Sequence, residues 1–159
     1  MSRSLLLLEN VLDIGCGANK AKEAVGMDIR RLPGVDIIHD LEETPWPIAD
    51  ESFSVVRACH VLEHVKPWRF LAVMSECRRV LKPNGAVLVE APYGVSDFYL
   101  QDPTHCRPIT EKTFEYFDPK YELYRIYEPP PLTIEARRFD GNFITVILRR
   151  LEDRPGEHT

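Results

Sequence analysis

The segment Val11-Leu12-Asp13-Ile14-Gly15-Cys16-Gly17 constrains the fold more than any other. A short apolar run ending in two glycines one residue apart reads as a buried strand entering a tight turn. Glycines at that point let the backbone turn sharply and approach a ligand that any side chain would block. Further apolar runs follow: Val25 to Ile29 and Val35 to Asp40, each with an acid near its end, then Phe53 to Ala58 and Ala86 to Glu90. Strands recurring with crossovers between them predict a parallel α/β sheet. Between the fourth and fifth strands, Phe70, Leu71, Met74, Cys77 and Leu81 recur at three- and four-residue steps, which predicts a helix ended by Pro83-Asn84-Gly85.

Beyond Pro92 the texture changes. Residues 93–108, rich in Gly, Asp, Pro and aromatic side chains, read as a loop covering a pocket. Thr110 to Phe117 is expected as a short helix. Tyr121 to Tyr127, Leu132 to Phe139 and Asn142 to Arg150 are expected as strands, the last two joined by a hairpin at Asp140-Gly141. No repeat or linker interrupts the chain. It is therefore read as one minimal domain over residues 1–152, followed by a polar, disordered tail at 153–159.

The chain has 159 residues, enough to bury a core without disulfides or metals. Cys16, Cys59, Cys77 and Cys106 form no CxxC pair, which suits reduced thiols rather than a zinc knuckle. The run Leu5 to Leu8 is too short for a signal core, and no stretch approaches the ~20 apolar residues of a membrane span. A cytoplasmic protein is expected. A net charge of −5 argues against coating nucleic acid through its phosphates.

The acids give the glycine turn a chemistry. Asp28 is placed to accept hydrogen bonds from two ribose hydroxyls, with Ile29 beside it, and Asp40 could accept from an adenine amino group while Leu41 packs on the ring. A dinucleotide site would use a similar turn and acid, but it wants a third glycine three residues on, where Lys20 stands. The missing glycine and the acid Asp13 within the turn fit a cationic sulfonium ligand better than a pyrophosphate.

These segments, with His39-Asp40-Leu41-Glu42, Pro45-Trp46-Pro47, Asp50 to Val56, Cys59 to Val65 and Leu81 to Gly85, resemble the class I S-adenosylmethionine-dependent methyltransferases, in particular a small family of that group. The resemblance runs from Val11 to about Phe117. It implies a doubly wound, Rossmann-like sheet of seven strands, mostly parallel with the last antiparallel, and S-adenosylmethionine as cofactor. It further implies that Gly15, Cys16 and Gly17 line the methionine and ribose, that Asp28 holds the ribose, that Asp40-Leu41 frames the adenine, and that His60 borders the methyl group. Only Gly15 to Ala24 separates the first two strands, too little for the usual crossover helix.

The loop Asp102-Pro103-Thr104-His105-Cys106-Arg107-Pro108 resembles a segment of related small methyltransferases. His105 is its candidate base, oriented by Asp102, with Arg107 as an acceptor anchor; a purely loop-pinning role for Asp102 and His105 stands beside that reading. Tyr93 and His64 are candidate acceptor contacts, with packing or capping the other reading of His64, and His60 joins His105 and Asp102 as a catalytic candidate. His60 and His64 lack the HExxH order of a zinc protease, and no metal is expected. Trp46 reads as packing beside the adenine end.

The tetrapeptide of amino-methylating DNA enzymes is replaced by Ala58-Cys59-His60-Val61. The expected acceptor is an oxygen or nitrogen on a small molecule, a sugar or lipid precursor, or a protein side chain. A catalytically silent cofactor-binding subunit serving a partner enzyme is the alternative. An open pocket and a terminal hairpin are compatible with a dimer.

Overall fold

The structure, a computed structural model, describes residues 10–152. The Leu5–Leu8 run and the 153–159 tail lie outside them. Seven strands form one sheet in the order β3-β2-β1-β4-β5-β7-β6. These are β1 (Val11–Ile14), β2 (Val25–Asp28), β3 (Ile37–Ile38), β4 (Phe53–Cys59), β5 (Leu81–Pro92), β6 (Thr133–Phe139) and β7 (Phe143–Arg149). The strands β1 to β5 pair in parallel, while β7 runs antiparallel to both β5 and β6. This is the expected α/β sheet with its final strand reversed.

The helix α1 (Phe70–Val80) covers one face. Its buried stripe, Phe70, Val73, Met74, Cys77 and Val80, packs with Val56 and Ala58 of β4 and Ile144, Val146 and Leu148 of β7 in the core. Alternation places Val55, Arg57 and Cys59 of β4 on the other face, where they stay partly exposed. That face has little cover because the connections at 15–24, 29–36 and 39–52 contain no helix.

Four expectations are corrected. The helix α1 ends at Val80, and Leu81 already pairs with Phe53, so Pro83-Asn84-Gly85 is a bend within β5. There Asn84 takes a φ of 62° and its amide donates to the carbonyl of Arg150. The third strand is two residues long. Past it, the His39 amide donates to Asp28 and the chain bends away at Asp40. Thr110–Phe117 forms only a 3-10 turn at Thr113–Tyr116, in which the Thr113 hydroxyl accepts from the Thr110 amide. Finally, Tyr121–Tyr127 holds a 3-10 turn, Glu122–Ile126, fastened by the Tyr124 hydroxyl on the carbonyl of Pro129. Aromatic alternation there mimics a strand, but β6 already occupies the sheet edge. The hairpin at Asp140-Gly141 is present, with the Asp140 carboxylate accepting from the amides of Asn142 and Phe143. Among the described residues no helix is long and apolar enough to cross a membrane.

Candidate functional site

The strand order reverses between β1 and β4, and the chain segments leaving these two strands meet there. Open α/β sheets bind ligands at this place, outside the carboxyl ends of the strands. Gly15 has φ 60° and its amide donates to the carbonyl of Met27 at 2.7 Å, which ties the turn to β2. A β-carbon on Gly15 would fall 2.2 Å from Cγ2 of Val61, so the close approach of the two segments requires glycine.

Asp13 faces away from the ligand side. It is 1% exposed, accepts from the Ala21 amide at 2.7 Å, and pairs with Arg57 at 2.9 Å. It therefore fastens the turn from behind instead of lining the cleft. Cys16 is buried with its sulfur in the space that the absent Gly26 side chain leaves, and burial raises its thiol pKa. Gly17 contributes its amide to Asp28 at 2.8 Å.

A cleft of about 480 Å³ opens on the other side of the turn, lined by Gly15, Asp28, Ile29, Asp40, Leu41, His60 and His64 among the expected residues. That volume lies within the range of small-molecule pockets. Asp28 is 5% exposed, and its carboxylate accepts from the amides of Gly17 and Arg30 (both 2.8 Å) and from Nε of Arg30 at 3.2 Å. Burial alone would raise its pKa, but these donors outweigh it and hold the group below the ordinary carboxylate value. Asp40 caps the next turn by accepting from the Glu42 amide, and the Leu41 carbonyl receives Nε1–H of the buried Trp46 at 2.9 Å. Glu42 is latched by the amide and Nζ of Lys66, at 2.7 and 2.6 Å. His60, at φ 53°, stands edge-on to Phe143 with Nε2 3.0 Å from Glu90 Oε1.

Arg30, Glu42, Val61 and Val65 also line the cleft, and the sequence reading did not single them out. Arg30 carried a signal, since it directly follows the acid and Ile29. Val61 did not, because its closeness to Gly15 comes from pairing β1 with β4.

Behind His60 and His64 lies Glu63, another residue that the sequence reading passed over. It is 1% exposed, and Oε2 has no hydrogen-bond partner among the described residues. Its Oε1 is 3.8 Å from Nδ1 of His60 and 4.0 Å from Nε2 of His105. Burial pushes its carboxyl pKa up, and its own amide and the neighbouring imidazoles oppose this only in part. The Glu63 carbonyl accepts from the amides of Cys106 and Arg107, which draws the 102–107 loop onto this turn. His105 thus comes to lie with its ring 4.7 Å from that of His64 and stacked on Tyr99. Asp102 reaches it, Oδ2 lying 3.6 Å from Nε2, while Oδ1 takes the amide and hydroxyl of Thr104.

The structure places the remaining two expected contacts away from the cleft. Arg107 lays its guanidinium over Phe70, 5.0 Å from the ring centre, in a separate groove with Trp68 and Tyr127. Tyr93 packs on Phe139, centroids 4.0 Å apart, and hydrogen-bonds Glu111. Past Pro92 the chain turns toward β6 and α1, which takes both side chains with it.

Comparison with known proteins agrees with the fold. A family model described as a methyltransferase domain, Methyltransf_11, matches residues 12–89. A probable S-adenosylmethionine-dependent methyltransferase of Mycolicibacterium smegmatis is 38% identical over 101 residues, covering 52% of this chain and 38% of that protein. The chain thus spans well under half of that relative's length. Among solved structures, a SAM dependent methyltransferase from Archaeoglobus fulgidus superposes with a TM-score of 0.65 at 19% identity, covering 87% of this chain and 85% of that one. The 1,6-didemethyltoxoflavin-N1-methyltransferase of Burkholderia thailandensis, solved with that compound and S-adenosylhomocysteine bound, gives a TM-score of 0.63 at 13% identity, covering 89% and 71%. At these identities the structural likenesses establish the fold.

Proposed function

We propose, from the match of residues 12–89 to a methyltransferase-domain family, that the chain is a class I S-adenosylmethionine-dependent methyltransferase that transfers a methyl group from S-adenosylmethionine to an oxygen or nitrogen of a small acceptor. The observation that carries the proposal is the position of the buried Asp28 carboxylate in one cleft with the Gly15 turn and Leu41. When bound, the donor supplies a methyl group on a sulfonium, an electrophile already activated. The residues present fit it: an acid for ribose hydroxyls, an apolar edge for a base, and a backbone turn free of side chains where the ligand must come close.

Asp28 would accept the ribose hydroxyls, Asp40 and Leu41 would frame the adenine, and Gly15 would let the methionine chain lie against the backbone. His60 would border the methyl end. The protein's contribution to the reaction is chiefly to position the acceptor. His105, its Nδ1–H held by the Tyr99 carbonyl and Asp102 Oδ2 3.6 Å from Nε2, would accept on Nε2 the proton that an oxygen or nitrogen acceptor loses. Phe143, edge-on to His60, and Phe98, tilted against Phe143 with centroids 4.9 Å apart, offer an apolar surface beside His60.

A second reading, a donor-binding subunit without turnover of its own, draws on the missing helices at 15–24 and 29–36, which leave the donor half of the sheet open. Binding without turnover on any acceptor pool would support it.

Thermal unfolding with S-adenosylmethionine, S-adenosylhomocysteine and NADH, each added separately, tests the donor assignment. A ligand at a hundred times its dissociation constant adds about 2.7 kcal/mol, or roughly 5–10 °C for a domain of this size. The first two ligands are expected to raise the midpoint and NADH to leave it unchanged. A rise with NADH alone, or with none, would overturn the assignment.

A further inference from the structure

We propose that Glu63, His64 and His105 form a binding site for one divalent first-row transition-metal ion beside the donor cleft. The three side chains each offer one ligand atom, and these atoms lie within 4.8 Å of one another. Glu63 and His64 are neighbours on the turn after β4, and His105 arrives on the loop after β5, held there by the amides of Cys106 and Arg107 on the Glu63 carbonyl.

Two independent observations point to a cation. The first is Glu63 itself, 1% exposed with Oε2 unpartnered among the described residues. A buried carboxylate oxygen without a donor is a costly arrangement unless a cation or proton answers it.

The second is the orientation of the two imidazoles. His105 Nδ1 lies 2.7 Å from the Tyr99 carbonyl, which can only accept, so Nδ1 carries the hydrogen and Nε2 of the neutral ring keeps its lone pair. His64 Nδ1 lies 3.0 Å from Thr104 Oγ1, whose single hydrogen goes to Asp102 Oδ1. That hydroxyl therefore accepts from His64, and again Nε2 is left bare. Histidines that bind metals are held in this way, their other ring nitrogen donating to a fixed acceptor.

The geometry is within reach of coordination. Metal–nitrogen and metal–oxygen bonds of about 2.0–2.2 Å place neighbouring ligand atoms roughly 3.0–3.5 Å apart. Glu63 Oε1 lies 4.0 Å from His105 Nε2, with the unpartnered Oε2 on the same carboxylate, and His64 is exposed and can shift. Two imidazoles and one carboxylate suit zinc, iron, manganese or nickel better than magnesium or calcium. Asp102 Oδ2, 3.6 Å from His105 Nε2, is close enough to serve as a fourth ligand or to hold a metal-bound water.

The other grouping of ligand types, Cys59, His60 and Glu90, lacks these features, because its atoms already satisfy one another. His64 lines the donor cleft while Glu63 lies behind it, so the open coordination positions would face the acceptor and could hold its hydroxyl or amine. This consequence for the acceptor rests on the methyltransferase reading, and the ion site does not. With the ion bound, His105 Nε2 is a ligand and no longer the base.

The test is a titration of the full chain, freed of metal by chelation, with cobalt(II) followed by visible absorption and with zinc(II) by calorimetry. One equivalent of cobalt is expected to bind and to be displaced by zinc. The variant Glu63→Gln should weaken binding at least tenfold, and Thr104→Val, which frees the His64 ring, should weaken it by about 10–100-fold. Glu90→Gln should bind like the original protein. Unfolding midpoints of the metal-free variants separate loss of the site from loss of the fold. Absence of stoichiometric binding, or unchanged affinity in a folded Glu63→Gln, would overturn the proposal and leave a proton-sharing cluster. S-adenosylhomocysteine binding, measured on the same metal-free protein, tests the donor assignment separately.

Discussion

The backbone of Gly15 runs so close to Val61 that a β-carbon on the glycine would meet Cγ2 at 2.2 Å and Cβ at 2.7 Å. Gly15→Ala should therefore cost about 1–2 kcal/mol from the left-handed backbone and about 1–3 kcal/mol more from overlap. Adding Val61→Ala leaves the β-carbon contact in place, so the double variant should recover only part of the second component. Denaturant unfolding of the two variants measures both.

Asp28 offers a finer test of the donor site. Its carboxylate already receives three donors, and two ribose hydroxyls would need one of them to yield. The cheapest to displace is the exposed Arg30 side chain. Since an exposed ion pair is worth about 0.2–1 kcal/mol, Arg30→Ala should leave donor affinity unchanged or raise it by up to about fivefold. Asp28→Asn should lower it at least tenfold. Calorimetry with S-adenosylhomocysteine distinguishes the two, and a marked loss in Arg30→Ala would make that arginine a ligand contact instead.

Acid should dissolve the anchor beneath Leu41 of the cleft. Glu76 accepts from the Trp46 amide at 2.6 Å and from both Nε and a terminal nitrogen of Arg79 at 2.7 Å. Burial alone would raise its pKa, yet the Arg79 guanidinium and the Trp46 amide hold it below the ordinary glutamate value. A carboxylate whose native pKa lies below its unfolded one, about 4.3, stabilises the fold above that value and ceases to do so as pH falls through the native one. Glu76→Gln should thus cost about 1.5–3 kcal/mol at pH 7. The difference from the original protein should close below about pH 4. Urea midpoints at a series of pH values check this.

The two tryptophans separate the cleft from the second groove. Trp46 is 3% exposed and bonded to the Leu41 carbonyl, whereas Trp68 is 77% exposed. In Trp68→Phe the remaining emission should lie to the blue and respond to the donor. In Trp46→Phe it should lie to the red and stay unchanged. A donor response from Trp68 instead would place the ligand in the groove with Arg107.

The side of the cleft built from β1, β2 and β3 was legible because its residues are local. Gly15, Asp28 and Leu41 each stand at the end of a strand or just beyond it, and strand ends are visible as apolar runs meeting glycine or acid. Glu63 was not, since its burial depends on the 102–107 loop folding back, and nothing in Leu62-Glu63-His64 alone announces that. Arg107 and Tyr93 stand near the right loop in sequence, but Phe70 and Phe139 draw their side chains elsewhere. Tyr121–Tyr127 shows the limit of alternation as a signal, because a strand also needs a partner with a free edge.

The helix-free connections of β1, β2 and β3 have a consequence for cohesion. The segments at 15–24 and 29–36 are held mainly by side chains gripping backbone amides, Asp13 on Ala21 and Asp36 on Gly26, whereas the 39–52 connection adds Leu41 and Trp46 to the core. Amide hydrogens of the first two segments should exchange by local opening well below the free energy of global unfolding, while those of β4, α1 and β5 exchange only with it. A donor bridging the turn after β1, the end of β2 and the 40–42 corner would act as the missing fastener. The supply of that small molecule would then govern how firmly half of the sheet is knit.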